Sequence, residues 1–152
     1  ITTRLVGSEM CIRDRGYLTS MIGLDKRWLE PYGIDPDTAF VALIPYSGQV
    51  VTHFERRREL GLPDTQPLVD DMAPLSYVRP DCRPMLILSG DREREMLGRY
   101  EENAYFWRMM RVAGHPDVRI CEFDGFDHGN MPQAGHFVAV RYIREMERRM
   151  DR

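Results

Sequence analysis

Three cysteines are all that this 152-residue chain holds, and Cys11, Cys82 and Cys121 form no C-x-x-C and no Cys/His ligand spacing, which argues against a zinc site and against a disulfide framework. No apolar run is long enough to cross a membrane, and no apolar core follows a basic start as in a secretory leader. A basic surplus is missing as well. Formal net charge is -3, and acids (Glu55, Glu59, Glu145, Glu147) flank both Arg56-Arg57-Arg58 and the arginine-rich C-terminal end, so these runs read as solvated helix faces and not as a nucleic-acid surface. No glycine-rich phosphate loop follows any strand candidate, which argues against a nucleotide-dependent enzyme. No serine stands in G-x-S-x-G, the strand-to-helix turn that exposes a nucleophilic hydroxyl. With 43% hydrophobic and 30% charged residues, no internal repeat and no low-complexity tract, the composition is that of one ordinary globular domain.

What is present alternates short apolar runs with amphipathic ones. Residues 16–24 read as turns of a buried helix, 35–38 as a turn, 39–44 as a short strand ending at Pro45, and 51–60 as a charged helix closed by Gly61 and Pro63. Residues 65–80, with three prolines, read as an irregular connection. A strand at 85–88 precedes a helix at 96–113, with Met96, Tyr100, Ala104, Trp107 and Met110 on one face and Gly114 and Pro116 as the stop. The next strand is 118–123, and a last helix at 135–150 carries Ala139, Ile143, Met146 and Met150 as a stripe. Strands alternating with helices predict the α/β class, a parallel sheet flanked by helices.

Chemistry gathers at two strand ends. The apolar run through Leu88 stops at Gly90 and opens into Asp91 and Glu93, while His128 lies between Asp127 and Gly129 just past the following strand. In parallel α/β sheets, ligands collect beyond the carboxyl ends of strands, where loops carry function on a rigid scaffold. A strand-end acid followed by a loop histidine has the order of the second half of a serine-histidine-acid triad. The histidine takes the serine proton and returns it to the leaving group; the carboxylate fixes its tautomer. The alternative is a non-catalytic interaction or scaffold domain in which Asp127 and His128 merely close a loop. A carboxylate of Glu93 or Asp91 in hydrogen-bond reach of His128 favours the first, a solvent-pointing ring the second. Ser47, in Tyr46-Ser47-Gly48, lacks the glycines of a nucleophile turn and reads as a strand-end turn serine; Ser8 and Ser20 have no better claim. His53, His115 and His136 read as surface residues without partners.

These stretches, in this order, resemble the α/β-hydrolase esterases and lipases, particularly small carboxylesterases and feruloyl-esterase-like proteins. Gly16-Tyr17-Leu18 resembles the glycine and helix after the nucleophile turn, Ile44-Pro45-Tyr46-Ser47-Gly48 the next strand and its exit, Met85 to Glu93 the acid-bearing strand, and Gly125 to Gly129 the histidine loop. The resemblance implies the C-terminal half of an α/β-hydrolase fold and a serine hydrolase acting on carboxylic esters, with a small-molecule ester as substrate, no cofactor and no nucleic-acid partner. It also implies His128 as base and, three residues after the strand-ending glycine, Glu93 as acid; most relatives have aspartate there, which keeps Asp91 as the alternative.

The family's nucleophile immediately precedes the residue matched by Gly16. Here that place is taken by residues 5–15, which resemble a translated sequencing adaptor; the alternative is a natural N-terminal arm. The expectation is therefore a non-native segment at 1–15 and a C-terminal hydrolase part at 16–152 that lacks the serine and oxyanion hole and is inactive. Missing strands should leave an open sheet edge and exposed apolar surface.

Overall fold

A computed structural model describes residues 10–150, with side chains from residue 15 onward. The expectations for residues 1–9, Ser8 among them, lie outside that range. Helix α1 spans Met10–Leu24, α2 Pro36–Ala39 and α3 Phe54–Glu59; strand β1 (Met85–Gly90), helix α4 (Arg99–Val112), strand β2 (Val118–Phe123) and helix α5 (Met131–Met150) follow. Single 3-10 turns occupy Lys26–Trp28, Glu30–Tyr32 and Pro74–Tyr77.

β1 and β2 pair in parallel, with Met85 opposite Val118 and Gly90 opposite Phe123. All six residues of β1 are buried, as befits a strand covered on both faces. Met85 and Ile87 pack with Leu24, Phe106 and Met110 on one face; Leu86 and Leu88 pack with Met131, Ala139, Tyr142 and Met146 on the other. The sheet is thus a middle layer between α1 with α4 and α5. Burying a side chain such as Ile87 contributes about 1.5–3 kcal/mol, so this alternation along β1 fixes which helix lies on which face.

The strand expected at 39–44 is displaced. Asp35 caps α2 by accepting from Asp37 N, and Pro36 suits the first helical position, so the chain is still helical at Ala39. Residues 43–46 then run beside β1 in parallel, joined at Leu43 to Met85 and at Tyr46 to Leu88. Pro45 between them has no N–H to give and accepts at its carbonyl from Leu88 N instead. On its other flank this segment pairs with no strand among the described residues. Large apolar side chains are exposed on α5 (Phe137 81%, Val140 47%).

The helix faces also differ from expectation. α4 starts only at Arg99, because Gly98 takes a left-handed φ of 71°, which leaves Met96 outside it. Its buried face is Arg99, Asn103, Phe106 and Met110, with the polar members holding neighbouring main chain. α5 begins at Met131 and buries Gly135, Ala139, Tyr142 and Met146, whereas Ile143 and Met150 are exposed. Arg57 is buried, not solvated, and its Nη1 donates to the carbonyls of Asp64 and Gln66. His115 is buried too: it lies 3.1 Å from Cys82 O through Nε2 and accepts at Nδ1 from Asp117 N. His53 caps α3, and His136 lies against the Tyr46 ring. No helix among the described residues is long and apolar enough to cross a membrane.

Candidate functional site

Three parallel segments end at the same edge of the sheet, and each delivers one side chain. Residues 43–46 lead into Ser47, β1 into the loop that holds Glu95, and β2 into the loop that holds His128. His128 Nδ1 lies 2.8 Å from Glu95 Oε2, and Ser47 Oγ donates to Glu95 Oε1 at 2.5 Å. Gly90 N donates to the same Oε1 at 3.0 Å.

The carboxylate at His128 is therefore Glu95, and neither acid expected there reaches the ring. Glu93 is exposed and makes no hydrogen bond through its carboxylate among the described residues. Asp91 organises main chain. Its Oδ1 accepts from Glu93 N (2.9 Å), its Oδ2 from Gly125 N (2.7 Å), and its carbonyl from Arg94 N and Glu95 N. Its own N–H donates to Phe126 O. These bonds curl the loop into a tight turn that brings Glu95 back over the end of β1 and tie it to the histidine loop. The Gly125 and Glu93 amides hold the Asp91 carboxyl below the usual range.

Gly90 makes this folding back possible. A Cβ there would come within 2.7 Å of Phe126 O and 3.0 Å of Glu95 Oε1, so only glycine admits the carboxylate and the histidine loop together. Ser47 is held at φ 43°, a left-handed conformation uncommon for a residue with a side chain, and it is buried. α4 fixes its surroundings: Arg99 Nη1 donates to Ser47 O, Asn103 Nδ2 to Gly48 O, and Glu102 accepts from Val50 N and Val51 N. Gly48 in turn lies against Gly16 of α1, main chain to main chain.

The Glu95 side chain has no exposed surface, and His128 shows only 12% of its own. Burial alone would raise the Glu95 carboxyl; donors from His128, Ser47 and Gly90 outweigh it and hold the group at about 2. An ionised carboxylate only accepts hydrogen bonds, so both contacting groups must donate. His128 therefore donates through Nδ1. The proton of Ser47 points at Glu95.

No protein-family model matches the chain, and no curated protein matches it. Solved structures do. Esterase 2 of the Planctomycetes species Thermogutta terrifontis, described as a thermophilic esterase, superposes in its propionate-bound form with a TM-score of 0.64 at 19% identity, over 86% of this chain and 52% of that one. Its native form gives 0.64 at 19%, over 86% and 51%, and the form phosphoramylated by tabun gives 0.61 at 19%, over 86% and 51%. The fold is that of part of an α/β-hydrolase. The chain spans about half the length of these structures. In that α/β-hydrolase frame, the Ser47, Glu95 and His128 cluster occupies the carboxyl edge of the sheet, where such folds collect ligands.

Proposed function

We propose that this chain carries the acid and base of an ester-cleaving serine hydrolase, with His128 as general base and Glu95 as the acid that orients it. The observation that carries this reading is the 2.8 Å contact between His128 Nδ1 and a fully buried, ionised Glu95. His128 Nε2 would take a proton from a serine hydroxyl and pass it to the leaving alcohol, while Glu95 holds the tautomer and stabilises the imidazolium. Glu95 replaces Glu93 and Asp91 in that role. Asp91 acts on the loops, and Ser47 acts on Glu95 as a positioning residue. The serine and the oxyanion donors would come from sequence ahead of Gly16, residues 1–15 being foreign to the domain at 16–152, and the substrate would be a small-molecule carboxylic ester.

On this reading the chain as it stands turns over short-chain chromogenic esters no faster than its His128→Ala variant, because a base and its orienting acid form no covalent intermediate without an activated hydroxyl. Proton-nitrogen NMR should find the neutral ring of His128 protonated at Nδ1 in preference to Nε2, and Glu95→Gln should abolish that preference. Burst release with fluorophosphonate labelling at Ser47, or a ring whose tautomer ignores Glu95→Gln, contradicts the assignment.

A further inference from the structure

Helix α5 presents two faces in opposite directions. Gly135, Ala139, Tyr142 and Met146 are buried against the sheet, while Phe137, Val140, Arg141, Arg144 and Arg148 form one exposed stripe on the far side. At 1.5 Å of rise per residue the stripe runs for about 16 Å. Acids stand close by in the sequence, but the fold sends them elsewhere. Glu145 is taken by Arg119 and Arg149, at 2.9 and 2.5 Å, and the exposed Glu147 forms no ion pair among the described residues. Arg141, Arg144 and Arg148 have no hydrogen bond, ion pair or ring contact among the described residues either. The stripe therefore keeps a surplus of positive charge, with a large aromatic ring, 81% exposed, at one end.

We propose that this face docks the chain on a lipid bilayer carrying anionic phospholipid, Phe137 entering among the headgroups and the three guanidinium groups holding phosphate oxygens. A planar guanidinium matches the phosphate oxygens in pairs, and an exposed aromatic ring gains by leaving water. Shape favours a lipid plane over a protein partner. Every residue lining the shallow hollow along the stripe belongs to α5, so no second element forms a groove that would seat a partner helix. The formal net charge of -3 opposes docking only weakly in this orientation, because charges more than about 8 Å from the bilayer are largely screened at physiological salt.

Flotation with vesicles tests this without any catalytic step, so its outcome is separate from the hydrolase assignment. The chain should float with vesicles of phosphatidylcholine and phosphatidylserine, stay behind with phosphatidylcholine alone, and be released by high salt. Arg144→Gln should weaken partitioning about five-fold, as expected for one basic residue at an anionic surface. Arg141→Gln, Arg144→Gln and Arg148→Gln together should abolish it, and Phe137→Ser should weaken it several-fold. These side chains are exposed, so circular dichroism should show an unchanged fold. Arg108→Gln removes the same charge from the exposed side of α4, across the sheet from α5, and should leave partitioning unchanged. Equal flotation with neutral vesicles, no flotation with either, or an equal loss in Arg108→Gln and Arg144→Gln overturns the proposal. Binding of soluble poly-glutamate where the vesicles fail assigns the face to an acidic protein and overturns it as well.

Discussion

The two ends of the sheet handle charge in opposite ways. At the amino ends of the strands, Arg119 and Arg149 each bridge Asp117 and Glu145, over distances of 2.5–2.9 Å to the nearest oxygens, with the arginine side chains 39% and 52% exposed. At the carboxyl ends an exposed Arg92–Glu122 pair at 2.6 Å is present too, but Glu95 is wholly buried and has no arginine or lysine partner among the described residues; an imidazole, a hydroxyl and a main-chain amide hold it. A water-exposed network of strong cations shares its energy with solvent and contributes little. A buried anion satisfied by weak donors depends on every one of them. An arginine would secure the carboxylate better for stability, but would leave the histidine with no partner to orient it. The contrast therefore sets an exposed charge network against a buried carboxylate arranged around an imidazole.

The largest expected break in that contrast is catalytic. In the protein with a serine-bearing turn joined ahead of Gly16, Glu95→Gln should lower kcat/KM by about four orders of magnitude through the wrong histidine tautomer. Asp91→Asn, which leaves Glu95 in place but loosens its loop, should cost roughly ten- to a hundred-fold, and Glu93→Gln should be nearly silent. Steady-state kinetics on the three variants ranks them; an effect of Glu93→Gln equal to that of Glu95→Gln would restore the acid expected by spacing.

Next comes acid stability. The folded-state carboxyl of Glu95 at about 2 lies below the ordinary value of 4.5, so its contribution is fully present above about pH 4.5 and is lost as pH falls toward 2. The difference is on the order of 3 kcal/mol. Urea melts between pH 6 and pH 2.5 should show that Glu95→Gln is destabilised at the upper end and loses much less on acidification than the parent chain. Parallel slopes for the two proteins would place the acid sensitivity elsewhere.

Smaller effects should separate the parts of the Ser47 contact. Ser47→Ala removes a donor to a buried anion and should cost about 1.5–3 kcal/mol. Ser47→Gly loses the same bond but relaxes the left-handed backbone, recovering roughly 1 kcal/mol, so chemical denaturation should rank it above alanine. Smallest of all, Arg149→Ala at the amino end should change stability by about 0–1 kcal/mol, and by less in high salt.

Much of this frame could be read from the residues. β2 falls on Val118–Phe123 as the apolar run indicates, and His128 stands just past its end. The carboxylate at His128 lies two residues beyond the one expected, because counting forward from Gly90 treats the loop as extended. Asp91 is a strong turn former, and its side chain consumes the bonding capacity that spacing assigned to catalysis while curling Glu95 inward. A rule that gives the first Asp of a strand-end acidic run to the turn would have pointed past it. The burial of Arg99, Glu102 and Asn103 was equally hidden, since polar residues on a helix read as solvent-facing until the main chain they hold is known. Pro45 reads as the end of the strand expected at 39–44, whereas the third parallel segment runs through it, joined to β1 at positions on either side.

The pairing of Gly90 with Phe123 sets a vernier for the whole device. Strands can shift past each other only in steps of about 3.3 Å per residue, and a single step also exchanges the faces of every side chain. The 2.8 Å contact of His128 with Glu95 is shorter than one such step, so the distance between these two side chains cannot drift gradually with sheet alignment. Fine adjustment is left to the two loops, and these are knotted at Asp91. Length changes in either loop are therefore geared to the other, and a lineage could retune this pair only by altering both together.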